Sequence, residues 1–279
     1  MLLRSIPSTN EMISVVGLGT WKRFDVGSSL EERKPLREVI ATISRKTKPT
    51  MAMIDSSPMY GRSEEVVGDL TSESGVTENF FYATKVWTTG EQNGIDQMNN
   101  SLRNMRRTTM DLMQIHNLLD WQTHLKTLQQ WKAEGRLRYI GITHYKAAAH
   151  NDLEWIIKNH AIDFVQFNYS MRERNAEKSL LNLAMDKGVA TIINEPFEKG
   201  SLFGAVKGKP LPEWSLEYDI NSWGEFFLKY IVSHPAVTCV IPATADAAHA
   251  AENMRAGDGR LPDEKGRKKM IEFIEKTAL

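Results

Sequence analysis

Four ionisable side chains stand at or just after the ends of strand-like runs in the first half of the sequence. They are Asp55, Lys85 and His116, with Tyr60 following Asp55 by five residues. A tyrosine, with an ordinary pKa near 10, is a poor acid at neutral pH, but a nearby ammonium lowers that pKa and a carboxylate fixes the ammonium in place. Such a tyrosine can give a proton to, or take one from, an alkoxide, and a neutral histidine can orient a carbonyl oxygen.

These side chains can act together only if the strands deliver them to one edge. Apolar, β-rich runs recur eight times, and most are continuous rather than alternating, as expected for parallel strands buried on both faces. The predicted strands are Ser14–Gly17, Met51–Ile54, Phe80–Thr84, Asp111–Ile115, Tyr139–Ile142, Phe164–Phe167, Val189–Ile193 and Val237–Ile241. The predicted helices between them are Leu36–Lys46, Ser63–Leu70, Gly94–Leu102, His124–Ala133, Lys146–Asn159, Ala176–Asp186 and Trp223–Ser233. Eight such units in about 250 residues predict an α/β fold, the (β/α)8 TIM barrel, whose active site lies at the C-terminal ends of the strands.

Segments outside the eight units predict additions to the barrel. Residues 1–13 predict a hairpin that closes the bottom of the barrel, and Asp263–Lys276, after Pro262, predict a C-terminal helix. The longest irregular stretch, 194–221, is rich in Pro and Gly and has the length of a binding loop or lid. Because no linker or low-complexity segment interrupts the chain, residues 1–279 are interpreted as one domain.

Composition narrows the class of protein. The 279 residues are 41% hydrophobic and 25% charged, which is ordinary for a globular chain and excludes wholesale disorder. Thirty-five basic residues balance thirty-five acidic ones without a basic run, which argues against a nucleic-acid partner. No apolar run approaches the ~18 residues that span a bilayer, so no membrane partner is expected. Without a leader pattern we expect a cytoplasmic protein (periplasmic if a leader was removed). Because the neutral charge and the predicted fold permit a monomer, a monomer is expected rather than an oligomer.

Several segments together resemble the aldo-keto reductases, in order, from about residue 6 to residue 260. They are Gly17–Trp21, Asp55–Glu64, Ala83–Lys85, Gln114–His116, Tyr139–Thr143, Val165–Asn168, Val240–Pro242 and Glu252–Asn253. The resemblance implies a barrel that reduces carbonyl groups with a nicotinamide cofactor bound extended across its top. It also implies that the family's catalytic Asp, Tyr, Lys and His fall on Asp55, Tyr60, Lys85 and His116.

The resemblance also implies a set of cofactor contacts, although some of the family's residues are replaced in this chain. The family's Ser, Asn and Gln, which hold the nicotinamide amide, correspond here to Thr143, His144 and Gln166. Asn194 begins the segment that in the family often begins with an aromatic ring stacked on nicotinamide, so that ring is missing. The predicted cofactor contacts are Thr20, Trp21, Asp55, Thr143, His144, Gln166, Pro196, Phe197, Thr244, His249, Glu252 and Asn253.

The adenosine end of the predicted cofactor site leaves the choice of nucleotide open. NADPH-preferring relatives have Lys-Ser and a later Arg where this chain has Ala243, Thr244 and His249, so two cations that would pair with a 2′-phosphate are absent. NADPH is the predicted cofactor, and NADH is not excluded. The predicted substrate pocket is formed by Trp21, Trp87 and Asn117, and it is expected to take a small-molecule carbonyl substrate.

Other interpretations remain open. The same fold could serve as a cofactor-binding, redox-sensing module with little or no turnover. A barrel hydrolase using Asp55 and His116 would need a metal cluster or an activated nucleophile, and the sequence has no motif for either; no metal is predicted. Of the residues outside the site, Trp131, Trp155, Trp223 and Met59 are predicted to pack in the core.

Overall fold

A barrel of eight parallel strands surrounded by helices makes up most of the computed structural model, which describes residues 1–277. Strands β3 to β10 follow one another around the sheet in chain order. The strands are β1 (Leu3–Ile6), β2 (Glu11–Ser14), β3 (Leu18–Gly19), β4 (Ala52–Asp55), β5 (Phe80–Val86), β6 (Met110–His116), β7 (Leu137–His144), β8 (Phe164–Asn168), β9 (Ala190–Asn194) and β10 (Cys239–Val240). The α-helices are α1 (Leu30–Thr47), α2 (Ser63–Glu73), α3 (Glu91–Asn104), α4 (Trp121–Ala133), α5 (His150–Asn159), α6 (Leu180–Asp186), α7 (Ser201–Ala205), α8 (Trp223–Val232), α9 (Ala247–Arg255) and α10 (Glu264–Thr277).

The two ends of the sheet meet through short contacts between β3 and β10. Val16 bridges Val240 and Gly19 bridges Ala243, while the Gly17 amide donates to the Val240 carbonyl at 2.8 Å. The antiparallel hairpin β1–β2 precedes the barrel, and α10 ends the described chain. The predicted (β/α)8 barrel with an N-terminal hairpin and a C-terminal helix is therefore confirmed.

The first barrel strand begins later than predicted. The predicted strand Ser14–Gly17 is wrong, because Ser14 ends the hairpin and the barrel strand is Leu18–Gly19. The Ser14 hydroxyl donates to the Val16 carbonyl at 2.9 Å and accepts from the Val16 amide at 3.3 Å. This local bonding competes with a continuous ladder and separates the hairpin strand from the barrel strand.

Helical content was underestimated in two places. Residues 194–221 are not irregular throughout, since they contain α7 and a 3₁₀ segment, Glu213–Tyr218. Helix α9 was not predicted at all, although Asp246 before it is a strong cap: its carboxylate accepts from the amides of Ala248 and His249. Within the described residues, no helix is both long and apolar enough to cross a membrane.

Apolar side chains fill the lower part of the barrel interior and polar side chains stand above them. The lower layer is formed mainly by Met53, Phe81, Ala83, Leu112, Tyr139, Phe164, Ala190 and Ile192, together with Ile6 and Ile13 of the hairpin. Because strand side chains alternate between faces, the residue two positions further along each strand also points inward. On five strands that next position carries Asp55, Lys85, Gln114, Gln166 and Asn194.

Two of the predicted core residues lie at the surface instead. Trp131 is buried as predicted and Trp223 is half-buried, but Trp155 is 53% exposed, because the buried face of α5 is formed by other residues. Met59 is 47% exposed, since it lies on the loop after β4 at the open end of the barrel. The exposure of Met59 therefore follows from its position on a loop rather than from its apolar side chain.

Candidate active site

A buried ion pair lies at the centre of the open end of the barrel. Lys85 Nζ is 2.6 Å from Asp55 Oδ2 and donates to the Ser56 carbonyl at 2.7 Å, and the two charged side chains are 1% and 3% exposed. Burial lowers the pKa of Lys85, but Asp55 and Tyr60 outweigh burial and the net pKa is raised. The lysine is therefore an ammonium held in a fixed position.

Tyr60 lies over this ammonium on the loop between β4 and α2. Its amide donates to the Ser57 carbonyl at 3.0 Å, and the Ser63 hydroxyl donates to the Tyr60 carbonyl at 2.7 Å. Lys85 Nζ is 5.2 Å from the centroid of the Tyr60 ring. Burial raises the pKa of Tyr60 and outweighs the lowering by Lys85 that the sequence predicted, so the net pKa is raised. The phenol keeps its proton at neutral pH.

His116 ends β6 beside the tyrosine. Its ring centroid is 6.0 Å from that of Tyr60, edge to face, and 6.2 Å from that of Trp87. Its Nδ1 is 3.1 Å from the Ser57 hydroxyl, a contact that was not predicted. Burial, and then the positive charge of Lys85, lowers the pKa of His116 to about 3, so the ring is neutral at physiological pH.

A chain of side-chain amides extends from the ion pair across the barrel. Gln114 Nε2 and Gln166 Nε2 each donate to Asp55 Oδ1 at 3.0 Å. Gln166 Oε1 in turn accepts from Thr143 Oγ1 at 3.3 Å and from Asn194 Nδ2 at 3.4 Å. Hydrogen bonds thus connect five strands, β4 and β6 to β9, in one polar layer.

Above this layer is a cleft of about 1270 Å³. The buried side chain of Lys85 lies beneath this cleft. The predicted site residues that line the cleft are Thr20, Trp21, Asp55, Tyr60, Trp87, His116, Asn117, Thr143, Gln166, Pro196, Phe197, Thr244, His249, Glu252 and Asn253. The structure therefore brings nearly all predicted site residues to one cleft.

His144 is the exception. It is not among the cleft-lining residues; its Nδ1 accepts from the Lys146 amide at 3.1 Å, and its ring stacks on that of Tyr145 with 5.6 Å between centroids. Side chains alternate along β7, so with Thr143 facing the cleft the neighbouring His144 faces away. Tyr145, which was not predicted, lines the cleft instead.

Cations that line the cleft were also missed in the sequence. Lys22 and Arg23 follow Trp21, and Lys199 lies on the loop after β9. Lys199 Nζ is 5.9 Å from the Trp21 ring centroid and 5.7 Å from that of Tyr145, within the range of cation–π attraction. Lys199 therefore lies close to aromatic rings from two other loops of the rim.

The opposite end of the cleft, after β10, has a different electrostatic character. Its lining includes Asp246, His249 and Glu252, but no Lys or Arg from this part of the described chain. Asp246 Oδ1 accepts from the amides of Ala248 and His249 at 2.7 and 3.0 Å, which holds its carboxylate at the start of α9. A phosphate group bound at this end of the cleft would find few positively charged partners besides His249.

Phe197, three residues after Asn194, packs against two other aromatic rings. Its ring lies 4.9 Å from that of Phe203 and 6.5 Å from that of Phe227, centroid to centroid. These contacts hold Phe197 in an aromatic cluster in the wall of the cleft. Asn194 Oδ1, by contrast, is buried without a hydrogen-bond partner.

Comparison with known proteins points to one family. Residues 15–268 match the model of the aldo/keto reductase family. Aldo-keto reductase YhdN of Bacillus subtilis is 27% identical over 231 residues, which are 77% of this chain and 66% of that protein. Methylglyoxal reductase YeaE of Escherichia coli is 24% identical, with 86% and 84% covered. An aldo/keto reductase from Klebsiella pneumoniae, solved in complex with NADP and acetate, superposes with a TM-score of 0.79 at 20% identity, with 95% and 93% covered.

Proposed function

The chain belongs to the aldo/keto reductase family. On that premise we propose that it reduces aldehydes or ketones to alcohols with a nicotinamide dinucleotide as the reductant, and that NADPH is the preferred dinucleotide. The observation that carries the proposal is the arrangement of a protonated Tyr60 beside the buried Lys85–Asp55 pair and a neutral His116, all at one cleft. NADP in the Klebsiella pneumoniae structure supports the choice of cofactor.

The cleft fits an extended dinucleotide. A volume of about 1270 Å³ exceeds what a small carbonyl compound requires. Thr143, Gln166 and Asn194 would hold the nicotinamide end, and Thr244 and Asn253 the adenosine end. The unpartnered Asn194 Oδ1 is an acceptor that a carboxamide would satisfy. When bound, the reduced nicotinamide supplies a hydride to the carbonyl carbon.

The side chains supply the proton and the orientation. Tyr60 gives its phenolic proton to the carbonyl oxygen, and the Lys85 ammonium stabilises the phenolate that remains. Asp55 keeps the ammonium in place. Where the Ser57 hydroxyl donates to Nδ1 across their 3.1 Å contact, neutral His116 carries its hydrogen on Nε2 and can donate it to the carbonyl oxygen.

The entrance of the cleft favours apolar carbonyl substrates. Four of its lining side chains are large, hydrophobic and well exposed: Trp21, Met59, Tyr145 and Phe203. Trp87 continues this surface toward His116. Aromatic surface of this kind binds flat apolar groups, while Asn117 offers one polar contact. Aromatic aldehydes are therefore the substrate class to test first.

Nucleotide titration followed by a turnover assay tests the proposed function. Protein fluorescence is titrated with NADPH and with NADH, and oxidation of the bound nucleotide is then followed with aromatic and aliphatic aldehydes. Binding of NADPH with aldehyde-dependent oxidation supports the reductase, whereas tighter binding of NADH than of NADPH would overturn the choice of NADPH. Binding without turnover on any carbonyl would favour the redox-sensing module, and binding of neither nucleotide would overturn both.

Three expectations from the sequence stay predictions. The chain is expected to behave as one domain over residues 1–279, as a monomer and as a cytoplasmic protein. Light scattering coupled to size exclusion measures the mass in solution, against the 31.7 kDa of one chain. A single cooperative unfolding transition is expected of one domain.

A further inference from the structure

Asn194 ends β9 at the edge of the polar layer, and only one of its two side-chain polar atoms has a hydrogen-bond partner. Its Nδ2 donates to Gln166 Oε1 at 3.4 Å, whereas its Oδ1 is buried with no partner. Buried polar atoms in folded proteins nearly always have a partner, so an orphaned acceptor in the wall of a cleft points to a ligand that donates to it. Asn194 lines the cleft.

The ion pair fixes which way the Asn194 amide points. Asp55, paired with Lys85, is an acceptor, so Gln166 must turn its Nε2 toward it, and it does at 3.0 Å. Gln166 Oε1 then faces Thr143 and Asn194 and must be supplied with donors. Asn194 therefore presents its NH2 to Gln166, and its oxygen is left as the free end of the chain. A flipped Asn194 would place two acceptor oxygens together.

We propose that Asn194 Oδ1 accepts a hydrogen bond from the carboxamide NH2 of the nicotinamide. This inference rests on the proposed function and assigns a role to a position whose sequence had suggested only a missing ring. At this position, a hydrogen bond to the carboxamide would hold the nicotinamide in place of the aromatic ring that often stacks on it in the family. Asn194 would thus be a specificity residue for the carboxamide rather than a catalytic residue.

The test compares two nucleotides that differ in this one donor. NADP+ carries a carboxamide, whereas its 3-acetylpyridine analogue keeps the carbonyl oxygen but has a methyl group in place of NH2. Equilibrium Kd values for both are measured by protein fluorescence. The carboxamide gains a hydrogen bond to Asn194 Oδ1 that the methyl ketone cannot make, so the wild-type protein should bind the analogue about tenfold more weakly.

Variants of two asparagines locate the effect. Asn194→Ala should bind NADP+ about tenfold more weakly and bring the ratio of the two Kd values close to one. Asn168→Ala is the matched control: Asn168 pairs with Asn194 in register on β8, but its Oδ1 already has a partner, His150 Nε2 at 3.1 Å. The wild-type ratio should persist in that variant.

The outcomes separate this inference from the proposed function. If the wild-type protein binds both nucleotides equally, or if Asn194→Ala keeps the tenfold ratio, the assignment of Asn194 is overturned while the reductase stands. If the wild-type protein binds neither nucleotide nor their reduced forms, the proposed function fails and this assignment fails with it.

Discussion

Lys85 Nζ lies 2.6 Å from Asp55 Oδ2 with both side chains almost entirely excluded from water. Charges buried in this way are stable only as a pair, because either one alone would pay the full desolvation penalty. Two further features of the site depend on this pair: Tyr60 lies over the ammonium, and the amides of Gln114 and Gln166 are oriented by the carboxylate.

Removing the ammonium should destabilise the fold as well as the reaction. Lys85→Met leaves Asp55 buried and unpaired, so the free energy of unfolding should fall by about 3–5 kcal/mol. The double variant with Asp55→Asn should recover part of this loss. Urea denaturation measures both values. Lys268→Met, which breaks an exposed pair with Glu264, is the control and should cause no measurable change. A Lys85→Met variant as stable as the wild type would contradict the account.

Stability should depend on pH through two partly buried histidines, His116 and His234. Burial lowers the pKa of His116 to about 3 and that of His234 to about 4, whereas both titrate near 6.5 in the unfolded chain. Between these values the unfolded chain binds more protons, so the free energy of unfolding rises with pH, by up to about 1.4 kcal/mol per pH unit for each histidine. The contribution is complete above pH 6.5 and is lost as pH falls toward 3.

Two variants check this pH dependence. His116→Gln and His234→Gln should each reduce the slope of stability against pH between 4.5 and 6, measured by urea denaturation. Only His116→Gln should also slow carbonyl reduction, because His234 is not among the residues that line the cleft. An unchanged slope in both variants would contradict the conclusion that both rings are neutral in the folded protein.

The loop that carries Tyr60 depends on close packing of α2 against the end of α3. A Cβ at Gly68 would clash with the Asn104 carbonyl oxygen, so Gly68→Ala must displace backbone. We expect a loss of about 1–3 kcal/mol in the free energy of unfolding. Gly204→Ala is the matched control, because a Cβ there meets nothing within 4 Å, and it should be neutral or stabilising by up to about 1 kcal/mol. Equal effects of the two variants would be the opposing result.

Much of the site could be predicted because the barrel imposes it. Parallel strands of a barrel end at one rim, so polar residues at the ends of β4, β5 and β6 had to meet there. Asp55, Lys85 and His116 could thus be placed together from strand ends alone. Tyr60 could be placed because only four residues separate it from Asp55.

The remaining features depend on orientation and environment, which spacing does not reveal. Whether His144 at the end of β7 or Tyr145 just after it faces the cleft depends on the alternation of side chains along the strand, and that was visible only in the register. The direction of the Tyr60 pKa depends on whether burial or the ammonium dominates, and burial does. The orphaned oxygen of Asn194 follows from a hydrogen-bond chain across five strands, beyond the reach of any local pattern.

The most direct test of the account is the turnover of Tyr60→Phe. This variant removes one oxygen and leaves the ring in place, so NADPH affinity should be nearly unchanged while kcat for aldehyde reduction falls by about 10²–10⁴-fold. Tyr145→Phe, which removes the same atom from another tyrosine of the cleft, should keep kcat within a few fold. A Tyr60→Phe variant that reduces aldehydes at a near-normal rate would contradict the assignment of Tyr60 as the proton donor.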